Sequence, residues 1–507
     1  MQTTQDTVSR VASYLAGSHP PLIDGQRRPA FSGNTFDTRN PATGEVIAAI
    51  QEATSLDVDL AVEAARAALN DRRWTGLSAD ARARVLWRYA DLLERDAAEL
   101  ARLEVLNNGM PIAFANWMVS ASAQWLRYYA GATPRIHGRA VGDAASDPQR
   151  RLHAYTVREP VGVAALILPW NGPIGTFIMK VAPALAAGCS CIVKPAENTP
   201  LTALRLGELA MEAGIPPGVL NILPGFGPGA GAALVAHRGV DKVSFTGSTL
   251  VGKQIVRSAA DNLKRITLEL GGKSPCIILE DADLETAIPA AAMGIFANSG
   301  QVCFAGSRLY VHQNVYDRVV AGIADFAAHL KIGSGLEPDT MLGPLISARQ
   351  QARVEEYLSI GGKEAETVCG GTTLQGDGYF VRPTVFANPA TGSRLLTEEI
   401  FGPVLVAVPF TDLDAVVSAA NDTRYGLGAG IFSNNINRAH QLAARLQAGN
   451  VWVNCYGVVH ETMPFGGYKE SGWGREMGTE GMDAFLETKS VFIHLPDLPR
   501  ENSQGET

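Results

Sequence analysis

The sequence predicts an α/β protein of two doubly wound domains, each a parallel sheet covered by helices. Three observations carry this. Between residues 161 and 270, short apolar runs alternate with helix-like segments and Gly-rich turns, the pattern of strands joined by crossover helices. A second alternation of the same kind follows Gly271. The 507 residues are 46% hydrophobic and 19% charged, a composition with enough apolar mass for more than one core.

The elements follow in order. Residues 1–20 have little period and read as a loose arm. In 21–50, turn residues such as Asn40-Pro41-Ala42-Thr43-Gly44 separate short β-prone runs. Segments 56–70 and 78–107 read as amphipathic helices; in the second, Val85, Leu86, Tyr89, Leu92, Leu93 and Leu100 recur at helical spacing. Strands are predicted at 161–168, 189–193, 219–223, 243–245 and 265–270, with helices at 174–187, 230–237 and 248–260 between them. Another helix is expected to start at Thr199 as cap, with Pro200 at its first position. The second alternation has strands at 275–279, 309–312, 401–409, 427–432 and 451–454 and helices at 285–298 and 316–330. The polar tail, 496–507, reads as frayed. A domain boundary falls near 270–272.

The net charge of −8 implies no basic face for nucleic acid. Six scattered cysteines without a C-x-x-C pair argue against disulfides and structural zinc, and nine scattered histidines offer no metal constellation. The first residues have neither a basic start nor an apolar core, so no targeting segment is read and a cytoplasmic location is expected. Residues 286–307 carry no charge, but Pro289, Asn298, Ser299 and Gln301 make them a buried helix and loop rather than a membrane span.

Two glycine clusters compete as a phosphate cradle. Gly225-Phe-Gly-Pro-Gly-Ala-Gly231 formally fits a dinucleotide fingerprint through Gly227, but Pro228 sits inside it. Phe245-Thr246-Gly247-Ser248 also follows a strand and opens a helix. There Gly247 permits close approach and the free amides of the first turn suit a pyrophosphate, so it is preferred. Lys194 and Glu197 share one loop. A carboxylate there suits ribose hydroxyls and repels a 2′-phosphate, which favours NAD and leaves NADP as the alternative. Taken alone, the pair is equally an ordinary surface ion pair.

Cys303 lies in Gly300-Gln-Val-Cys-Phe-Ala-Gly-Ser-Arg308. A lone cysteine is by default an inert thiol, yet this one sits in a loop of small residues after an uncharged helix. Glu269 stands between Leu268 and Leu270, before Gly271-Gly272-Lys273. Burial there would raise its pKa toward that of a useful base. Asn171, in a turn after the first strand, offers the amide an oxyanion needs.

With these stretches the sequence resembles the aldehyde dehydrogenase superfamily. The resemblance rests on Pro169-Trp170-Asn171, Lys194-Pro195-Ala196-Glu197, Phe245-Thr246-Gly247-Ser248, Leu268-Glu269-Leu270-Gly271-Gly272-Lys273 and Gly300-Gln301-Val302-Cys303. It continues through Glu399-Ile400-Phe401-Gly402-Pro403, Pro464-Phe465-Gly466-Gly467-Tyr468-Lys469 and Ser471-Gly472-Trp473-Gly474-Arg475-Glu476. It implies Cys303 as nucleophile, Asn171 at the oxyanion, Glu269 as base for water, and Lys180 with Glu476 as a proton relay. It implies a cofactor held by Trp170, Lys194, Glu197, Gly227, Phe245, Gly247, Ser248, Glu399 and Phe401. It also implies a Rossmann-like NAD-binding domain from 1–137 and 161–270, a catalytic domain at 271–473, and a β-arm from 138–160 and 486–500. The arm would pair subunits into a dimer or tetramer.

Several positions depart from the family's usual bulk. Gly172 and Gly175 stand where larger residues are common, followed by Thr176 and Met179, and Gly457 and Val459 precede Phe465. Phe304, beside the nucleophile, is the residue able to refill the space. The expected substrate is a bulky apolar aldehyde: aromatic, terpenoid or long aliphatic. A small charged semialdehyde fits less well, because no anchoring cation stands in these segments. Two other classes remain as alternatives: a CoA-acylating variant, against which Glu269 argues, and a binding protein that kept the fold without activity.

Overall fold

The fold is described from a computed structural model, for residues 4–142 and 151–495. The polar tail expected at 496–507, and part of the expected arm, lie outside the described residues.

The first sheet has five parallel strands at its centre, in the order Leu220–Ile222, Ser190–Lys194, Val163–Ile167, Lys242–Thr246 and Arg265–Glu269. Val163–Ile167 and Ser190–Lys194 are buried at every position, and Val163–Ile167 is accordingly a continuous apolar run. From Val163–Ile167 the chain winds outward one way, then returns and winds the other way. The switch point therefore lies between Val163–Ile167 and Lys242–Thr246, and ligands bind beyond the carboxyl ends of strands at such a point. The turns there carry Asn171 and Ser248.

The second sheet has six parallel strands, in the order Thr384–Ala387, Val404–Phe410, Arg308–His312, Pro275–Ile278, Gly428–Phe432 and Asn450–Val453, with Glu366–Cys369 antiparallel at one edge. The chain passes from the first sheet to the second after Glu269 and returns after Asn450–Val453, where Gly472–Trp473 pairs antiparallel with Arg265–Glu269. The second sheet thus meets the first through the amino ends of its strands: Cys303 precedes Arg308–His312, and Glu399 precedes Val404–Phe410. A third sheet has Arg151–Pro160 at its centre, paired antiparallel with Leu486–Leu495 on one side and Ala140–Val141 on the other. On its outer strand Phe492 is 65% exposed.

Three expectations need correction. The N-terminal segment is a helix, Thr4–Leu15, not a loose arm. It buries Val11, ties Arg10 to Asp96 at 3.3 Å and to Glu99, and donates Tyr14 Oη to Leu201 O. The single helix expected at 78–107 is two, Ala79–Arg95 and Ala97–Asn108. They break at Asp96, whose buried carboxylate takes Arg95 at 2.7 Å and Arg205 at 2.9 Å. Finally, Thr199 does not cap the next helix, and Pro200 precedes rather than opens Leu201–Ala213. Asn107 Oδ1, from the neighbouring helix, accepts from Leu201 N instead, so a long-range partner performs the cap.

Helix Ile112–Ala132, unread in the sequence, packs on Ala79–Arg95 and on Pro173–Ala187. The uncharged stretch at 286–307 is helix Leu284–Phe296 and a tight turn. Among the described residues, no helix is long and apolar enough to cross a membrane.

Candidate active site

Between the two sheets runs one cavity of about 910 Å³. Its floor is the loop of Cys303. Asn298, Ser299 and Gly300 lie in succession at φ 48°, 57° and 70°, a reversal disfavoured for side-chain-bearing residues. Side chains hold it in place: Ser299 Oγ donates to Gly343 O at 2.6 Å, and Gln301 Oε1 accepts from Ile346 N at 2.9 Å. Asn171 Nδ2 donates to Gln301 O and Asn298 Nδ2 to Asn171 O, both at 2.8 Å. The amide of Asn171 is thus fixed to the loop of Cys303, with its second N–H available to the cavity it lines.

Glu269 ends the strand Arg265–Glu269 and faces the same cavity. It is buried and neither carboxylate oxygen has a partner. Burial, then the nearby Glu476, hold its pKa well above the usual carboxylate range, with Lys180 and Arg475 opposing. Burial also pushes the Cys303 thiol up, helped by Glu269 and Glu399. The two glycines after Glu269 have a spatial cause. A β-carbon on Gly271 would lie 2.2 Å from Glu399 Oε2, and one on Gly272 would lie 2.3 Å from Cys303 O. Gly272 N also donates to Glu399 Oε1 at 3.0 Å. The pair lets a distant carboxylate and the Cys303 loop press on one backbone. Burial raises the pKa of Glu399 to about 7.

Trp170 and Phe401 meet edge to face at 5.2 Å on the cavity wall, where Gly247 and Ser248 also lie. Phe401 has φ 62°, another strained residue at the site. Ser248 caps helix Thr249–Ala259, accepting from Val251 N at 3.4 Å, and Thr246 Oγ1 has no partner. A helix end opening on a cavity beside a carboxylate and two aromatic rings could hold a dinucleotide.

Other expected residues sit off the cavity. Lys194 is buried and donates to Pro195 O at 2.6 Å and Gly225 O at 2.8 Å. Glu197 Oε2 is 3.9 Å from Lys194 Nζ. They form one cluster with the turn carrying Gly227. Burial lowers the Lys194 amine to about 8. Phe245 is a core residue whose ring underlies Gly247. Lys180 lies behind the wall, bonded to Glu476 Oε1, while Glu476 itself reaches the cavity.

The far end of the cavity is apolar, and here the structure revises the glycine reading. Gly172 has nothing within 4 Å of an added β-carbon, so it does open space. Gly175 does not: Met118 Sδ would lie 2.5 Å from its β-carbon and occupies the room. Gly457 is required by its backbone, at φ 75°, with the Phe304 ring 3.2 Å from an added β-carbon. Phe304 stacks at an angle with Phe465 (5.7 Å) and Trp452 (5.4 Å). Thr176, Met179 and Val459 line the wall between. Sequence reading missed the opposite wall, where Phe114, Trp117, Met118 and Trp125 come from helix Ile112–Ala132. Phe114 and Trp117 stack at 5.4 Å, and Trp117 is half exposed. Aromatic residues three apart on a helix were the available signal. Arg353 and Arg424, also unread, line the end near Glu398 and Glu399.

A thiol, an unpartnered carboxyl and an amide donor on one cavity can perform covalent acyl chemistry. The six cysteines are all free.

The profile of the Aldehyde dehydrogenase family matches residues 29–491. The Bacillus subtilis (strain 168) protein DhaS is 48% identical over 496 residues, covering 97% of this chain and 99% of that one. A phenylacetaldehyde dehydrogenase of Pseudomonas fluorescens is 47% identical over 480 residues, with 94% and 96% covered. An aldehyde dehydrogenase from Bacillus cereus, solved as its NAD+ complex, superposes with a TM-score of 0.94 at 46% identity, covering 96% of this chain and 99% of that one. The chain belongs to the aldehyde dehydrogenase family and is an oxidoreductase.

Proposed function

We propose that the protein oxidises bulky, apolar aldehydes to carboxylic acids with NAD, through a thioester on Cys303. The observation that carries this is the shared cavity: Cys303 and unpartnered Glu269 line it, and Asn171 is bonded to the Cys303 loop. Cys303 gives up its proton to cavity water, and Sγ bonds to the aldehyde carbon as the carbonyl π pair moves onto oxygen. The oxyanion is held by the second N–H of Asn171 and the backbone N–H of Cys303. NAD supplies the hydride acceptor that turns this adduct into the thioester. Glu269, whose raised pKa makes it a stronger base, then takes a proton from water as the water attacks the thioester carbon. The C–S bond breaks and the acid leaves. Glu476, held by Lys180, receives the proton from Glu269.

Trp170, Gly247, Ser248, Glu399 and Phe401 would hold the nicotinamide and pyrophosphate end of the cofactor. The cluster of Lys194, Glu197 and Gly227 would take the adenosine end. On this reading 1–137 and 161–270 bind cofactor, 271–473 complete the catalytic centre, and the third sheet pairs subunits through its exposed outer strand. The aldehyde would enter past Phe114, Trp117 and Met118, an end of the cavity without a cation. The match to a phenylacetaldehyde dehydrogenase supports an aromatic substrate.

The test is NADH production against a graded aldehyde panel, with NAD and NADP, without CoA. Turnover of aromatic and long aliphatic aldehydes with NAD is expected. Turnover confined to small aldehydes overturns the substrate class, and dependence on added CoA overturns the role of Glu269.

A further inference from the structure

Ser244 is a buried polar residue in the middle of a central parallel strand, Lys242–Thr246, where apolar residues are the norm. Its neighbours Val243 and Phe245 point into the core on one face. Ser244 points the other way, toward helix Pro173–Ala187, and both of its hydrogen-bonding functions are used. Lys180 Nζ donates to Ser244 Oγ at 2.9 Å, and Ser244 Oγ donates to Glu476 Oε1 at 3.3 Å. Lys180 Nζ also bonds directly to Glu476 Oε1. The three side chains close a buried triangle whose only corner on the cavity is Glu476. Two residues along the same strand, Thr246 pairs in register with Glu269, so the triangle lies directly behind the unpartnered carboxyl.

We propose that Ser244 is a positioning residue for the hydrolytic step: its hydroxyl bridges Lys180 and Glu476 and keeps the Glu476 carboxylate aimed at Glu269. This rests on the reading of Glu269 as base and of Lys180 with Glu476 as its proton outlet. In that step water loses a proton to Glu269 as its oxygen bonds to the thioester carbon, and the sulfur leaves with the C–S electron pair. Glu269 then passes the proton to the Glu476 carboxylate, which returns it to cavity water. An acceptor in this role works only while charged, and a hydrogen bond donated to a carboxylate favours its charged form. The ionisable groups facing Glu476 are Lys180, Lys242, Glu269 and Tyr129, and Arg475 faces Glu269.

The experiment follows acid release by rapid quench after the first NADH burst, in full-length enzyme with NAD and the best aldehyde of the panel, across neutral and alkaline pH. It compares wild type with Ser244→Ala, Ser244→Thr and Glu476→Gln. Ser244→Ala is expected to slow acid release about tenfold and to move its rising pH limb upward by about one unit. The burst rate and kcat/KM for the aldehyde should stay unchanged. Ser244→Thr keeps the hydroxyl and should restore both rate and limb. A wild-type profile for Ser244→Ala beside an altered one for Glu476→Gln overturns the role of Ser244 alone. Wild-type profiles for both overturn the relay reading and this proposal with it. Equal slowing of burst and release in Ser244→Ala, with an unmoved limb, marks a merely structural serine and also overturns it.

Discussion

The two ends of the cavity are built by different means. At the end of Gly247, Ser248, Glu399 and Phe401, side chains come from turns at strand ends and the backbone sets the geometry. At the end of Phe114, Trp117, Met118 and Met293, they come from the faces of two helices and side-chain volume sets the geometry. A β-carbon at Gly271 would drive the Glu399 carboxylate off its bond to Gly272 N, and one at Gly272 would strike a backbone carbonyl, Cys303 O, at 2.3 Å. A β-carbon at Gly175 would strike the end of a flexible methionine. The first end should therefore fail under single small substitutions, and the second should retune.

The largest effect is expected at the catalytic boundary between the two ends. Glu269→Gln keeps the shape but cannot accept a proton. Steady-state turnover should fall by about 10²–10⁴-fold while the first burst of NADH survives. Stopped-flow absorbance separates the two phases, and a variant with unchanged steady state would remove Glu269 from hydrolysis. Next comes Gly271→Ala, in which the new methyl displaces the Glu399 carboxylate from Gly272 N. Loss of a charged hydrogen bond predicts NAD binding weaker by roughly 10–100-fold. Calorimetric titration measures it, and an unchanged Kd would mean that Glu399 does not hold the cofactor.

The same contrast explains what could be read from the sequence. Cys303, Glu269 and Asn171 were legible because each sits at a strand or helix end beside its own glycines or turn residues, and those local signals survive without a fold. The doubly wound order of the first sheet was legible for a similar reason: each of its strands is a short apolar run bounded by turns. Gly175 was misread as open space because room is a property of three dimensions, and Met118 arrives from a helix with no motif. Thr199 was misread as a cap because Asn107, far away in sequence, supplies the acceptor. Thr4–Leu15 was passed over because a helix resting on the surface buries little besides Val11 and is fastened by ion pairs that only packing reveals.

A smaller effect should test the volume-set end directly. Gly175→Leu alone overpacks against Met118 and should lower kcat/KM for all large aldehydes. Met118→Ala alone enlarges the channel and should shift preference toward the larger of two homologous aldehydes by about tenfold. The double variant restores the shared volume, so its kcat/KM should lie closer to wild type than the product of the single effects. Additive single effects would show that the two positions do not share one space.

The smallest effect on turnover belongs to Glu104, beneath the seam of the two ends. Its Oε2 accepts from Ile174 N at 3.3 Å at the start of helix Pro173–Ala187, while Asn108 Nδ2 donates to Trp170 O at 2.7 Å. Together they hold the turn that carries Asn171 and Gly172. Glu104 is fully buried, and burial raises its pKa from 4.5 to about 7. A folded-state pKa raised above the unfolded value means that the native protein binds the extra proton. The stabilisation is present below pH 4.5 and is lost as pH rises through about 7. Glu104→Gln stays neutral throughout and keeps an acceptor for Ile174 N. Its thermal midpoint should match wild type below pH 4.5 and exceed it under alkaline conditions, by at most about 3 kcal/mol of stability. Activity at neutral pH should change little, because the turn is held by geometry and not by charge. A midpoint that falls in the variant under alkaline conditions would show that the fold relies on the charged carboxylate at the helix start.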